Sequence, residues 1–206
     1  MRKMLGEVHH LSPDLQLWQH YDPRIKADLY STAIGTSSGV YLVDPIPLDP
    51  TSFAELIRGR RIAGIVLTNA NHTRAAQEYA RRFKTSVYAH REAVDSAGSH
   101  GLIAIGEGLP PEAGMTVVTI EGAAPGERAL HRQEDGGTLI VGDALINFGA
   151  HGFTLLPAKY CSDPPRMRAS LRKLLSCEFE RILFAHGMPI IANGRERLEG
   201  LLDRES

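Results

Sequence analysis

Three short apolar runs each end in a side chain able to bind a metal, and nothing else in the chain restricts its fold as much. Leu67-Thr68-Asn69-Ala70-Asn71-His72 closes the run that starts at Ile62. Val141-Gly142-Asp143-Ala144 closes the run from Thr138, and Phe184-Ala185-His186-Gly187 closes the run from Arg181. Runs of this length bounded by polar loops read as buried strands. Strand ends collect along one sheet edge, where ligands distant in sequence can meet, and histidine and carboxylate suit zinc or another divalent metal.

The rest of the chain supplies the elements such an edge needs. Leu15 to Trp18, Leu29 to Thr32 and Gly39 to Val43 read as an opening meander, punctuated by Pro13, Pro23, Gly35 and Pro45. Thr51 to Arg58 reads as a short helix, with Thr51 as its N-cap and Phe53, Leu56 and Ile57 on one face. Ala63 to Thr68 is then a strand, followed by a helix that places Ala75, Ala76, Tyr79, Ala80 and Phe83 at helical spacing, and Ser86 to Ala89 returns as a strand. Later, Thr116 to Ile120, Arg128 to His131 and Thr138 to Val141 are joined by Pro125-Gly126 and Asp135-Gly136-Gly137, which is hairpin chemistry. Pro164 to Leu175 reads as a helix with Met167, Leu171, Leu174 and Leu175 on one face; the strand Arg181 to Phe184 and a helix from Glu196 to Leu202 close the chain. With 206 residues and no linker or repeat, a single domain spanning 1–206 is expected.

Composition narrows the function classes. A net charge of -1 with both signs interspersed leaves no basic footprint for nucleic acid or anionic lipid. The apolar runs are strand-sized, far short of the roughly 20 residues that cross a bilayer, so no membrane association is expected. Met1 to His10 lacks the apolar core of a secretory signal, and the expectation is a cytoplasmic protein in which Cys161 and Cys177 stay reduced.

These segments, together with Gly122-Ala123-Ala124-Pro125-Gly126, resemble the metallo-β-lactamase-fold hydrolases, glyoxalase II among them, from about residue 28 to 202. The resemblance implies an α/β fold of four layers, an αββα sandwich. It also implies a two-metal centre built from a Thr-His-x-His-x-Asp-His loop, a Gly-His-Thr-Pro-Gly turn, a Gly-Asp pair and a terminal His-Gly. Setting Thr68 against the family threonine leaves Asn69 and Asn71 at the first two histidines and destroys the ligand set. Aligned backwards from the helix, the run from Asn71 to His90 fits without a gap and the loop is two residues short, a change that surface loops tolerate better than helix phase does.

In that second register Asn71 stands for the ligand aspartate, His72 keeps the ligand histidine, Asn69 replaces one of the histidine pair, and Ala123 replaces the turn histidine. Asp143 and His186 remain. What the resemblance then implies is one surviving metal site from His72, Asp143 and His186 with Asn71 beside it. Its metal would be a single divalent ion, zinc in first place and iron as the alternative, and two histidines with one carboxylate leave positions open for water. Each residue also has a plainer reading: His72 as a capping residue at a helix start, Asp143 as a turn carboxylate accepting backbone N–H bonds.

Several further residues attach to this site more loosely. Asp44, in Leu42-Val43-Asp44-Pro45, sits where the family has a supporting aspartate. Arg74 occupies a family glycine position, and Glu127 follows the turn that lost its histidine, so an Arg74–Glu127 ion pair beside the vacated half is one reading and two solvated side chains are equally the other. Tyr160 and His151 fall where substrate loops of the family lie. His9, His10, His20, His90, His100 and His131 lack partners in the sequence. The functional expectation is a hydrolase of a small ester, thioester, amide or phosphoester, with His72 and Asp143 at the chemistry and hydroxide supplied at one metal. The rival is a non-catalytic relative that binds a small molecule or a protein. The loops around 93 to 114 and 147 to 165, which would select the substrate, carry no interpretable motif, and oligomeric state is equally open.

Overall fold

The computed structural model describes residues 6–24, 26–93, 108–148 and 152–205, and the backbone alone at 102–104. Seven strands form one sheet in sequential order: β1 (Glu7–Ser12), β2 (Leu15–Asp22), β3 (Ala27–Thr36), β4 (Gly39–Val43), β5 (Ile62–Val66), β6 (Val87–Ala89) and β7 (Leu102–Ala104). The first four are antiparallel; β4 to β7 run parallel. That change of direction follows from the connections, because α1 (Pro50–Ile57) and α2 (Ala76–Phe83) supply the crossovers that parallel strands require. A second sheet holds β8 (Thr116–Thr119), β9 (Arg128–Arg132), β10 (Thr138–Val141) and β13 (Arg181–Phe184) in the order β13-β10-β9-β8. A separate hairpin, β11 (Leu145–Phe148) with β12 (Gly152–Leu155), follows β10. Helices α3 (Pro164–Arg172) and α4 (Gly194–Arg204) complete the chain.

Alternation along the central strands divides the apolar side chains into three layers. On β4, Val40 and Leu42 pack with Phe53, Leu56 and Tyr79 of the first helix layer, while Tyr41 and Val43 face the other sheet. On β10 and β13, Leu139, Val141, Ile182 and Phe184 pack with Met167, Leu171 and Leu198 of the second helix layer, while Ile140 and Leu183 meet Tyr41 and Val66 between the sheets. Three apolar interfaces require four layers, so the architecture is the expected αββα sandwich.

Local differences from the sequence reading have identifiable causes. Helix α1 is capped by Asp49, whose Oδ1 accepts from the amides of Thr51 and Ser52, and not by Thr51. Pro50 takes the first helical position, where its missing N–H costs nothing, and so moves the start one residue back. Strand β1 gives no sequence signal because it is an edge strand whose burial never alternates cleanly. The helix expected over 164–175 ends at Arg172 and tightens into a 3₁₀ turn, Lys173–Ser176. Arg128, at the start of β9, is energetically unusual: it is 0% exposed, yet its Nε, Nη1 and Nη2 all lack hydrogen-bond partners among the described residues.

Candidate metal centre

Strands β5, β10 and β13 run side by side with parallel neighbours in their respective sheets and all end towards the same rim. Beyond β5 the chain makes a 3₁₀ turn, Ala70–His72, in which the Asn69 side chain accepts from the Asn71 amide at 2.9 Å. The turn is pinned to the other sheet's loop by the Ala70 amide, which donates to Pro125 O at 3.1 Å. His72 comes off its end, Asp143 comes off the turn between β10 and β11, and His186 follows β13 by two residues.

The three side chains meet. His72 Nε2 lies 3.0 Å from Asp143 Oδ1 and 3.3 Å from His186 Nε2, and His186 Nε2 lies 3.2 Å from the same carboxylate oxygen. All three donor atoms fall within 4.8 Å of one another, and among the described residues this is the one such group of histidine, cysteine and acidic side chains. The set fits a divalent metal in its chemistry as well as its spacing. Asp44 Oδ2 lies 2.9 Å from His72 Nδ1, and a proton held between them leaves Nε2, which faces Asp143 and His186, as the nitrogen that a metal would take once it displaces the second proton.

Asp44 is held in place with unusual rigidity. It adopts a left-handed conformation, φ 47°, which a non-glycine residue keeps only when its surroundings insist. Its carboxylate accepts from the Thr68 amide at 2.8 Å and from Thr68 Oγ1 at 2.5 Å, and its carbonyl accepts from Ser31 Oγ at 2.6 Å. Thr68 Oγ1 also lies 2.8 Å from His72 Nδ1. The sequence reading uses Thr68 only as an alignment anchor and misses this role, although its spacing of four from His72 across a tight turn is a usable signal.

Charge in the cluster is unevenly distributed. Burial and the Arg74 charge lower the His72 imidazole, but Asp44 and Asp143 outweigh them and raise it to about 9. Burial alone would raise Asp143; His72 and His186 instead hold its carboxyl well below the usual carboxylate range. Against the effect of burial, Asp44 is likewise lowered by His72. His186 is lowered, chiefly by burial. In the metal-free protein the proton on His72 is thus a competitor of any cation.

Asn71 is exposed and donates through Nδ2 to Asp143 Oδ2 at 3.2 Å, which puts its side chain at the edge of the cluster. Tyr160 is 61% exposed and lines the cleft that opens onto Asp143 and His186. Asn69 is buried and donates to Glu127 Oε2 at 2.7 Å, while Glu127 Oε1 accepts from the Ala144 amide at 3.0 Å. Gly142 permits this arrangement, since a Cβ there would come within 2.6 Å of Thr68 Oγ1 and 2.7 Å of Glu127 Oε1. Ala123 is buried in the apolar layer beneath α3 and offers no donor. Burial, reinforced by Asp143, raises the Glu127 carboxyl to about 8.

The Arg74–Glu127 ion pair is not made. Arg74 turns the other way, donating through Nη1 to the carbonyls of Tyr30 at 2.8 Å and Asp44 at 3.1 Å, and through Nη2 to Ala185 O at 3.4 Å. Three convergent carbonyls hold the guanidinium, while the Glu127 carboxyl is already engaged by two N–H groups. Nη2 also lies 3.4 Å from His186 Nε2, and Arg74 has φ 33°, a conformation that suits the glycine the resemblance places there. Of the remaining histidines, His90 accepts from the Glu92 amide at 3.2 Å and His131 Nε2 donates to Glu178 O at 2.8 Å, both away from the cluster. His100 and His151 lie outside the described residues.

Comparison with known proteins agrees with this architecture. The sequence profile of the metallo-beta-lactamase superfamily matches residues 8–204, and the chain belongs to that superfamily. The DIM-1 metallo-beta-lactamase superposes with a TM-score of 0.77 at 14% identity, over 98% of this chain and 99% of that one. TTHA1623 in a di-iron-bound form gives 0.65 at 24% identity, over 87% and 96%. The metallo-beta-lactamase family protein TTHA1429 from Thermus thermophilus gives 0.69 at 20% identity, over 95% and 80%. At these identities the likeness is one of fold. A comparison with curated protein sequences returns no match. No helix among the described residues is long and apolar enough to cross a membrane.

Proposed function

We propose that this chain is a metal-dependent hydrolase of a small ester, thioester, amide or phosphoester, working with one divalent ion held by His72, Asp143 and His186. The observation that carries the reading is the convergence of those three donor atoms within 4.8 Å, with Asp44 orienting His72 from behind and a cleft of about 360 Å³ in front. Zinc is the first choice for two histidines and a carboxylate, and iron the alternative. Such an ion polarises a carbonyl or phosphoryl oxygen and lowers the pKa of water towards ~7.

The protein's own groups have separable tasks. His72 is 2% exposed with both ring nitrogens engaged, so it serves as a ligand and not as a proton carrier. Asp143 Oδ1 faces the two histidine ligands, so Oδ2, where the metal leaves it free, is the oxygen that would orient a water by accepting its hydrogen bond. Asn71 fixes the carboxylate through Oδ2. In ester hydrolysis the acyl–oxygen bond breaks, the hydroxyl of water joins the acyl carbon, and the alcohol leaves with the proton. A cytoplasmic setting, in which Cys161 and Cys177 would stay reduced, is part of this proposal.

Two observations favour a second reading, a non-catalytic protein that binds a small molecule or a protein partner. Arg74 brings a cation within 3.4 Å of a ligand nitrogen, and the three donors already hydrogen-bond among themselves. The two readings part on p-nitrophenyl acetate. Turnover by zinc- or iron-loaded protein, lost on chelation, restored by metal and missing in Asp143→Ala, is the expected result; no turnover in any form would hand the lead to the binding reading.

A further inference from the structure

The cleft in front of the metal ligands is walled by Ile146, Phe148, Leu156, Pro157 and Tyr160, and Asn71, Asp143 and His186 form its polar end. Among the described residues that line it there is no lysine or arginine. Away from a metal ion at the polar end, a charge on the acyl side of a substrate would therefore lie against a hydrocarbon wall without a counter-charge, which is a costly transfer. Among the described residues the nearby cations stay outside that lining: Lys26, next to Ala27, is exposed at its rim. The Lys159 ammonium sits 4.7 Å from the centroid of the Tyr160 ring, and the Arg74 guanidinium is committed to the carbonyls of Tyr30 and Asp44.

We propose that the cleft selects an uncharged substrate whose acyl side is a hydrocarbon of several carbons, presented to the ligands as a carboxylic ester, thioester or amide and not as a phosphoester. This narrows the four substrate classes above and depends on the hydrolase reading for its chemistry, though not for its binding. Size supports it: 360 Å³ is at the low end of the roughly 300–1,000 Å³ typical of small-ligand pockets, enough for a medium chain and its carbonyl. Each methylene fully buried there favours binding by about fourfold. The wall comes largely from the β11–β12 hairpin and the segment after it, so specificity sits on elements separate from those that carry His72 and Asp44.

The test uses the full-length metal-loaded chain and has two readouts. For p-nitrophenyl esters, kcat/KM should climb about two- to fourfold per added carbon from acetate towards hexanoate. The hemisuccinate, which ends in a carboxylate, should be at least about tenfold poorer than the pentanoate. Phe148→Arg, which sets a cation in the wall, should reverse that order. Independently of turnover, 2-heptanone should bind the cleft in ligand-observed NMR and be weakened by Phe148→Arg. Absence of ester turnover with the ketone bound would remove the hydrolase reading while supporting the uncharged-ligand assignment. A preference for acetate or hemisuccinate, or a ketone that does not bind or that Phe148→Arg leaves in place, overturns the assignment.

Discussion

Replacing Asn71 with Asp probes both the ligand register and the electrostatics of the cluster. Asn71 Nδ2 stands 3.2 Å from Asp143 Oδ2, so the substitution exchanges a hydrogen bond for two like charges about 4 Å apart. At that separation Coulomb repulsion is ~4 kcal/mol for an effective dielectric constant near 20 and ~1 kcal/mol in bulk water. Asn71 is exposed, which places the real cost between these limits, and the metal-free variant should lose about 1–3 kcal/mol of stability. A bound cation reverses the sign, because a charged oxygen is a stronger ligand than an amide oxygen. Zinc should therefore bind at least about tenfold more tightly, or about 1.4 kcal/mol, to the variant than to the wild type. The assay is competition with a chromophoric chelator, paired with urea denaturation in excess chelator. A variant that loses stability without gaining zinc affinity, or that shows neither effect, would refute the placement of Asn71 at the vanished aspartate position.

Three further perturbations separate other parts of the account. Arg74→Gly removes the cation 3.4 Å from His186 Nε2 and relieves φ 33°, but strips donors from three carbonyls; zinc affinity should rise several-fold while stability falls by about 1–3 kcal/mol, and unchanged zinc affinity would dismiss the repulsion argument. Arg128→Met should raise stability by about 1–3 kcal/mol, since a buried guanidinium without partners among the described residues gives way to hydrocarbon; a lower melting temperature would show that the guanidinium is paired. The Glu127 carboxyl is raised to about 8 from its ordinary value of 4.5, so the folded state holds its proton more tightly than the unfolded one. Its contribution is present in full below pH 4.5 and is lost as pH rises through about 8. Urea denaturation in chelator at about pH 5, near the lower end of that window, and at about pH 9, above it, should show wild type losing ground to Glu127→Gln at the higher pH, and a difference independent of pH would argue against a raised carboxyl.

The parts of the fold legible in the sequence are those in which one physical signal dominates. Val40 to Val43, Leu139 to Val141 and Ile182 to Phe184 are apolar on both faces because each lies between a helix layer and a second sheet, and such runs declare themselves. The convergence of His72, Asp143 and His186 is legible through the strand ends that carry them. Harder to read is anything decided by competition in space. Arg74 and Glu127 are both charged and both near the vacated half, but only the folded backbone reveals three carbonyls converging on one side and the Asn69 and Ala144 donors on the other. The hairpin Leu145 to Leu155 gives no clear signal for a related reason: its strands are four residues each and their apolar positions serve the cleft as well as the core.

We propose one metal ion per chain, with Asn69 and Glu127 hydrogen-bonded to each other and to the Ala144 amide and not acting as ligands to a second. Metal content of the untagged protein, measured by plasma mass spectrometry after equilibrium dialysis against zinc and then against buffer, tests it most directly. Close to one zinc per chain is expected, falling to none in Asp143→Ala while the circular dichroism spectrum stays that of the folded protein. Two zinc ions per chain, or none in the wild type, would contradict it.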